Sequence, residues 1–332
     1  MSILRDEIAE QPAVLARLLE AEAEPIEALA AGLRRQPPRF ALIVARGSSD
    51  NVARYAQHVL GHLCRIPVAL ATPSLHTLYH APPRLDRALV IGISQSGASP
   101  DVTAVIQDAA DQGQVTVAIT NDPASPMAAA AEHVIALSTG EERSVAATKT
   151  YTASLAAVAA LAAAIARDRR LDEELRATPA AVAAQLERPV DAGLADSWER
   201  CAVIGRGANY GTAFEAALKV KELTGIAAEP YSPPDLLHGP VAVLGPDHGV
   251  LAFAPPGPTA AGVHEAVGEA RRRGAPAIVA APGADLDLVP APDWLSPLTA
   301  VVPAQLLAAG AAERRGIEVD RPFGLSKITR TT

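Results

Sequence analysis

The sequence predicts an α/β protein that contains two doubly wound parallel-sheet domains. Between residues 40 and 167, apolar segments typical of strands alternate with segments of helical periodicity. One apolar segment, residues 89–93, has the continuous hydrophobicity of a strand that is buried on both faces. A similar alternation begins again at Cys201. With 332 residues and 49% hydrophobic content, the chain is long enough for two cores of ordinary size.

Residues 1–35 are predicted to form an N-terminal helical arm. Apolar residues recur there with the spacing of a helix, namely Ile8, Val14, Leu15, Leu18, Leu19, Ile26, Leu29 and Leu33. Pro12 and Pro25 are expected to break this arm into pieces, because proline is excluded from helix interiors.

The first α/β domain is predicted over residues 36–170. Its strands are expected at residues 40–45, 67–71, 87–93, 115–120 and 133–137, and its helices at residues 50–63, 100–111 and 150–167. An Ala-rich apolar run at residues 153–166 is too short to cross a bilayer, and we expect it to form a buried helix.

The second half of the chain is predicted to repeat the first. A charged linking helix is expected over residues 171–195, a second α/β domain over residues 196–319 and a C-terminal tail over residues 320–332. Residues 43–53 align with residues 203–213, and both copies contain a strand, an Arg-Gly turn and a helix start. This match indicates an internal repeat.

Hydroxyl groups are expected at the carboxyl ends of two strands of the first domain. Ser48 and Ser49 follow the first strand, whereas the second copy of the repeat has Ala208 and Asn209 at these positions. Ligands of doubly wound sheets bind outside the carboxyl ends of the strands. We therefore expect Ser48, Ser49 and the turn at residues 94–99 to face one crevice.

The turn at residues 94–99 is a candidate phosphate site. Ser99, Pro100 and Asp101 are typical of an N-cap, a first helical residue and a first-turn acid. Unpaired N–H groups and the dipole at a helix N-terminus favour an anion. The side chains that can donate to it are Ser94, Gln95, Ser96 and Ser99. The alternative is an ordinary strand-to-helix loop, in which serine and glycine are common.

Charge and cysteine content exclude several classes of protein. A net charge of -8 without a basic stripe argues against nucleic acid or a membrane surface as a partner. Cys64 and Cys201 have no ligand-like spacing, as expected for reduced thiols in a cytoplasm. Residues 1–10 lack the apolar core of a signal peptide, which favours a cytoplasmic location.

No cofactor and no metal are expected. Residues 205–211 are one residue too long for the dinucleotide motif G-x-G-x-x-G, and the chain lacks a P-loop. His58 with His62, and His76 with His80, have the i, i+4 spacing of a helical ligand pair, but neither pair has an evident third ligand.

A group of charged residues on a helix of the second domain is a candidate for chemistry. Glu215, Lys219 and Glu222 are spaced to lie on one helical face. The alternative is a solvated face with surface salt bridges. His238 follows in a loop, where it is either a solvated side chain or an acid/base group close to the carboxylates.

Six motifs occur in one order along the chain. They are Arg46-Gly-Ser-Ser49, Ser94-Gln-Ser-Gly-Ala-Ser-Pro-Asp101, Glu142-Arg-Ser-Val-Ala-Ala-Thr-Lys-Thr150, Glu215-Ala-Ala-Leu-Lys-Val-Lys-Glu222, His238-Gly-Pro240 and Asp320-Arg-Pro-Phe-Gly-Leu-Ser-Lys327. Together they resemble sugar isomerase (SIS) domains, and more narrowly the isomerase half of the glutamine:fructose-6-phosphate amidotransferases. The resemblance runs from about residue 36 to the C-terminus. It implies two tandem doubly wound, flavodoxin-like domains, with the C-terminal tail over the active site.

The resemblance also implies a site for a sugar 6-phosphate. The substrate-binding residues would be Ser48, Ser49, Ser94, Gln95, Ser96, Ser99, Val145 and Ser326. Glu222 would move a proton between C1 and C2 of the sugar, with Lys219 beside it. His238, contributed by the partner subunit of a homodimer, would assist ring opening. Lys327 would form a Schiff base with the open-chain sugar.

The expected activity is that of a glucosamine-6-phosphate deaminase (isomerising), which forms fructose 6-phosphate and ammonia. The chain begins at Met1 without an N-terminal cysteine or amidohydrolase domain, so glutamine is not expected to supply nitrogen. Ala98 and the pair Phe323-Gly324 depart from the family pattern and leave the sugar open. The alternatives are another 6-phosphosugar isomerase, deglycase or dehydratase of this family, or a phosphosugar-binding regulatory module.

Overall fold

The computed structural model describes residues 2–322, 324 and 327. The chain divides into two compact units. The first unit comprises Ala13–Glu142 and Lys149–Ala177. The second unit comprises Met1–Pro12, Arg143–Thr148 and Thr178–Lys327. The N-terminal arm, predicted as one segment, is therefore shared between the two units.

Three short helices form the arm. They are α1 (Ile3–Ala9), α2 (Gln11–Ala21) and α3 (Ala23–Arg35). The predicted division into pieces is confirmed, although the helices end before each proline rather than at it. Pro12 is the second residue of α2 and Pro25 is the third residue of α3. Proline is tolerated there because the N–H groups of the first turn have no partner within the helix.

The sheet of the first unit is parallel throughout. Its strands are β1 (Phe40–Ala45), β2 (Val68–Leu70), β3 (Ala88–Ser94), β4 (Val115–Thr120) and β5 (His133–Ala136), in the spatial order β2-β1-β3-β4-β5. Its helices are α4 (Ser48–Cys64), α5 (Ser74–Thr77), α6 (Pro100–Asp111), α7 (Pro126–Ala130) and α8 (Lys149–Ala166). The predicted strands and helices are confirmed to within two residues at either end, whereas the short helices α5 and α7 were not predicted.

Helix α8 lies in the core of the first unit. In the described part of the chain, its 18 residues form one helix that is long and apolar enough to cross a membrane, contrary to the expectation from length. However, 78% of that helix is buried inside the protein, as expected for a core helix and as predicted from its Ala-rich sequence.

The prediction of a single linking helix over residues 171–195 is wrong. The segment contains two helices, α9 (Arg169–Arg176) and α10 (Thr178–Leu186), and a 3₁₀ turn at Ala192–Ala195. The interruption precedes Pro179, which is the second residue of α10. This break resembles the breaks in the arm, where a proline also lies in the first turn of the helix that follows. The helix Ser296–Arg314, in contrast, contains Pro303 in its interior.

The second unit repeats the topology of the first sheet. Its strands are β6 (Arg200–Ile204), β7 (Ala227–Tyr231), β8 (His248–Phe253), β9 (Ala277–Ala281) and β10 (Leu286–Asp287), in the spatial order β10-β9-β8-β6-β7. Its remaining helices are α11 (Asn209–Thr224), α12 (Pro233–Leu237), α13 (Ala260–Arg272) and α14 (Ser296–Arg314). Numbered from its own first strand, this sheet has the strand order of the first sheet. The predicted repeat and the predicted fold class are confirmed.

The turn between β3 and α6 requires a glycine. Gly97 has a φ of +58°, and a Cβ added to it would lie 2.0 Å from Ser125 Oγ and 3.0 Å from Thr120 Oγ1. Left-handed backbone is unfavourable for residues that carry a Cβ. Conformation and space therefore both restrict this position to glycine.

Gly97→Ala is expected to lower the free energy of unfolding by about 3 kcal/mol, because left-handed backbone and overpacking each cost roughly 1–3 kcal/mol. Urea denaturation of the purified variant measures the loss. The matched control is Gly113→Ala, which has a φ of +69° but no described heavy atom within 4 Å of an added Cβ. The control is expected to lose about 1 kcal/mol, for the backbone alone. Equal losses at the two positions would contradict the steric argument.

Candidate functional site

The first unit presents two polar segments at one edge of its sheet. Ser48 and Ser49 open α4 directly after β1, so they lie in a helical first turn rather than in the predicted loop. The turn at residues 95–99 follows β3. Since β1 and β3 are neighbours, with Ala45 paired to Ile93, their carboxyl ends lie side by side. This is the point at which the strand order reverses, where doubly wound sheets bind ligands.

Hydroxyl groups support the turn after β3. The buried Ser94 Oγ accepts a hydrogen bond from the Gly97 N–H at 3.2 Å, and Ser96 Oγ accepts one from the Ala98 N–H at 3.3 Å. Accepting these bonds does not use the hydroxyl protons, which stay available to an anion. The half-buried Ser99 is the N-cap of α6, but its side chain makes no capping bond.

The neighbouring strand β4 fixes the backbone of this turn. The Gln95 carbonyl accepts hydrogen bonds from Thr120 Oγ1 at 3.2 Å and from the Asn121 N–H at 3.0 Å. The Gly97 carbonyl accepts one from the Met127 N–H at 3.0 Å. These hydrogen bonds hold the turn in one conformation, as a preorganised binding site requires.

An ion pair joins the two segments, and sequence analysis did not predict it. Nε and Nη2 of Arg46 both lie 2.7 Å from Asp101 Oδ2. The Asp101 side chain is only 1% exposed, whereas that of Arg46 is 50% exposed. A signal existed in the sequence, because opposite charges follow two strands that a doubly wound fold makes neighbours.

The second unit carries the charged group predicted on α11. Lys219 Nζ lies 2.5 Å from Glu222 Oε2 and 3.4 Å from Glu215 Oε1. The exposed fractions of the side chains are 0% for Glu215, 1% for Lys219 and 23% for Glu222. The alternative of a solvated salt-bridged face is therefore wrong. An ammonium and two carboxylates lie largely out of water, and Glu222 is the member that solvent still reaches.

Helix α11 is held in place at its start. A Cβ on Gly205 would lie 2.2 Å from the Asn209 carbonyl oxygen, so the turn from β6 into α11 depends on glycine. The buried Asn209 donates from Nδ2 to Ser296 Oγ on α14 at 2.7 Å. Burial in a fixed packing restricts the rotamers of the charged side chains.

His238 lies at the edge of a separate cleft of the second unit. It follows α12, is exposed, and lines a cleft of about 300 Å³ together with Arg206, Leu237 and Glu265. Within its own unit it is a solvated side chain, which is one of the two possibilities that the sequence left open. The loop after β8, residues 254–259, reads Ala-Pro-Pro-Gly-Pro-Thr, where the first unit has the hydroxyl-rich turn.

Val145 contacts the C-terminal segment of the second unit. Val145 is half-buried, and its N–H donates to the Asp320 carbonyl at 3.4 Å. Lys327 is also half-buried. Ser326, which the sequence assigned to the substrate site, lies outside the described residues, as does Phe323.

The histidine pairs have structural explanations. The rings of His58 and His62 stack with their centroids 5.8 Å apart. His76 Nδ1 lies 2.6 Å from Asp108 Oδ2 and the imidazole is buried. Among the described residues, no group of three His, Cys, Asp or Glu side chains is arranged to hold a metal ion.

Comparison with known proteins identifies the family. A family model of the SIS domain matches residues 37–164 and 194–311. The glutamine–fructose-6-phosphate aminotransferase [isomerizing] of Gloeobacter violaceus is 36% identical over 312 residues, which cover 86% of this chain and 51% of that protein. The chain thus spans about half the length of the curated relatives that it matches.

Two solved structures extend this likeness over nearly the whole chain. A Silicibacter pomeroyi protein, provisionally described as a phosphosugar isomerase, has a TM-score of 0.88 and 35% identity, and the match covers 96% of this chain and 99% of that chain. The C-terminal domain of glucosamine-fructose-6-phosphate aminotransferase from Francisella tularensis has a TM-score of 0.87 and 26% identity, covering 97% and 98%. With both of its α/β domains matched, the chain belongs to the SIS domain family.

Proposed function

We propose that this chain is a phosphosugar isomerase that converts glucosamine 6-phosphate and water to fructose 6-phosphate and ammonia. The observation that carries the proposal is the Lys219–Glu222 contact on α11, where a partly exposed carboxylate lies 2.5 Å from a buried ammonium. Relatives named as isomerizing aminotransferases of fructose 6-phosphate support the same class of sugar chemistry.

The substrate's phosphate would bind at the first unit's switch point. The hydroxyls of Ser49, Ser96 and Ser99 lie at the carboxyl edge of β1 and β3, beside the N-termini of α4 and α6. Such an edge favours an anion, because helix dipoles and N–H groups converge there. Ser48, Ser94 and Gln95 would complete the site.

Glu222 would carry the proton that isomerisation moves. Once the ring is open, the carboxylate takes the proton from C2 of the amino sugar and returns it to C1. With one amine proton passing to the C1 oxygen, this transfer leaves a hydroxyl at C1 and an imine at C2. One positioned base suffices because the two carbons are adjacent. The buried Lys219 would orient the Glu222 carboxylate through their contact.

Lys327 would then release the nitrogen. Its neutral amine attacks C2 of the imine, a C–N bond forms, and the original C–N bond breaks with loss of ammonia. Water hydrolyses the new imine, frees the lysine and leaves fructose 6-phosphate. The overall reaction consumes one molecule of water and releases one molecule of ammonia. Val145 would line the sugar.

The thiols of this chain do not offer a route through glutamine. Burial raises the pKa of Cys64 to about 12, and the fully buried Cys201 is shifted in the same direction. A thiol attacks an amide only as the thiolate. Nitrogen would therefore be exchanged as ammonia, and dilute ammonia favours its release over its capture.

The proposed site requires a homodimer. His238 is exposed in its own unit, and it would act on a sugar bound by the partner subunit, where an imidazole can pass a proton to the ring oxygen. This arrangement would give the exposed loop at residues 238–243 a function, since Val243 there is 58% exposed.

The wild-type chain is expected to form ammonia and fructose 6-phosphate in equal amounts from glucosamine 6-phosphate, and Glu222→Gln to lower kcat about 100-fold or more with little change in KM. The amide keeps the shape of the side chain and removes its basicity. Coupled assays of ammonia and ketose over a panel of 6-phosphosugars measure both results.

The control for this experiment is Glu199→Gln, which removes an exposed carboxylate of the same unit and should leave kcat unchanged. Ketose formation without ammonia from a neutral aldose 6-phosphate would favour an aldose/ketose isomerase instead. Near-normal turnover by Glu222→Gln on every sugar would refute the proton shuttle and favour a phosphosugar-binding module.

Borohydride added during turnover is expected to attach one sugar phosphate to Lys327, because it reduces a lysine imine to a stable amine. Peptide mass spectrometry locates the modified residue. Lys327→Arg should abolish the labelling, whereas Lys221→Arg, which alters an exposed lysine of α11, should not. Label on another lysine would remove Lys327 from the mechanism.

Mixed dimers of Ser96→Ala and His238→Ala are expected to recover up to about a quarter of wild-type kcat, because one of the two sites in a heterodimer is intact and half of randomly exchanged dimers are heterodimers. Each variant homodimer should be inactive. Absence of recovery after exchange verified by native mass spectrometry would show that both residues act within one subunit.

A further inference from the structure

Helix α1 carries a buried carboxylate that the proposed mechanism does not use. Glu7 is 3% exposed. It accepts hydrogen bonds from the N–H groups of Arg143 and Ser144 and from Ser144 Oγ. The hydrogen bonds to the Glu7 carboxylate therefore come from uncharged donors of a segment that is distant in sequence. Burying a carboxylate in this way is costly unless it is fully hydrogen-bonded, so the contact favours one defined arrangement over others.

The segment that Glu7 holds is the one that contains Val145. Ser144 is completely buried, and its hydroxyl also lies 3.1 Å from the Ala146 carbonyl. The anchor points thus lie on either side of Val145 in sequence. Residues 143–148 form no helix or strand, so their conformation depends on such contacts.

The same helix holds the beginning of the C-terminal segment. Asp320 accepts hydrogen bonds through its carboxylate from the N–H groups of Ile3 and Leu4, at 3.0 and 2.9 Å. These donors belong to the first turn of α1, where N–H groups lack helical partners and a negative charge is favourable. The Asp320 carbonyl also accepts from the Val145 N–H. Lys327 follows seven residues later in the sequence.

Helix α1 is itself fixed to the scaffold that carries Glu222. Arg5 forms two hydrogen bonds of 2.8 Å with the carboxylate of Glu313 on α14, and this contact lowers the pKa of Glu313. The buried Gln11, the first residue of α2, donates to the Ile8 carbonyl of α1 and to Gln305 on α14, each at 2.9 Å. Helix α14 in turn receives the Asn209 hydrogen bond from the start of α11. One continuous set of contacts therefore connects Glu7 to the helix of Glu222, all within the second unit.

We infer that Glu7 is a positioning residue, which through α1 holds Val145 and the Asp320 end of the C-terminal tail in fixed register with Glu222. This inference rests on the proposed function for its catalytic consequence. Misplacement of reacting groups by about 1 Å can cost about a hundredfold in rate, so a contact distant from the chemistry is sufficient to control it.

Glu7→Gln is expected to speed amide exchange at Arg143 and Ser144 about tenfold, because a neutral amide is a weaker acceptor than a carboxylate. It should lower kcat about 10–100-fold while the Kd for inorganic phosphate stays within twofold, since the phosphate would bind to the first unit. Residue-resolved hydrogen exchange, steady-state kinetics and calorimetry measure the three quantities.

The matched control is Asp6→Asn, which makes the same change of charge at an exposed position of α1. It should change none of the three quantities. If Glu7→Gln does not fold, Ser144→Ala serves instead, because it removes one donor to Glu7; faster exchange at Arg143 and a loss of kcat of about threefold or more are then expected.

Unchanged exchange at residues 143–148 would overturn the inference, as would an equal loss of phosphate affinity and kcat, which indicates general destabilisation. A wild-type chain without turnover on any sugar phosphate refutes the proposed function instead. In that case the exchange rates still decide whether Glu7 orders the segment.

Discussion

The second unit depends on the burial of Lys219 between two carboxylates of α11. An ammonium that is 1% exposed is stable only beside opposite charge, and Glu215 and Glu222 supply it at 3.4 and 2.5 Å. The group is asymmetric, because Glu215 is sealed from solvent whereas Glu222 is 23% exposed. Removing Lys219 would break its ion pairs with both carboxylates, and breaking a buried ion pair typically costs about 3–5 kcal/mol. The same contact fixes the position of Glu222, the residue that we propose as the base.

The two units share one topology but differ in where their polar and charged side chains lie. In the first unit, the strand order brings the ends of β1 and β3 together, and the Arg46–Asp101 pair fixes the two segments that follow them. In the second unit, the position that corresponds to Asp101 is Ala261. The buried charged residues of this unit lie on the face of α11. The two copies therefore share a strand order but differ in the positions of their polar and charged side chains.

Sequence analysis predicted those features that depend on local pattern. Buried strands such as β3 are continuous apolar runs, and the spacing of Glu215, Lys219 and Glu222 follows from helical geometry. It did not predict features that depend on tertiary contacts. Burial of Lys219 is set by the packing around α11, and the Glu7–Ser144 bonds join residues 137 positions apart. The helix breaks expected at Pro12 and Pro25 lie before these residues, because a proline starts a helix as readily as it ends one.

The proline-rich loop after β8 limits how many anions one chain can hold. Pro255, Pro256 and Pro258 have no N–H group, so the second sheet offers few backbone donors at the edge where the first sheet has its serine-rich turn. The phosphate site proposed for the first sheet therefore has no equivalent at the corresponding edge of the second sheet. The stoichiometry of a monophosphate should be one per chain, and a bisphosphate should gain no avidity from the duplication.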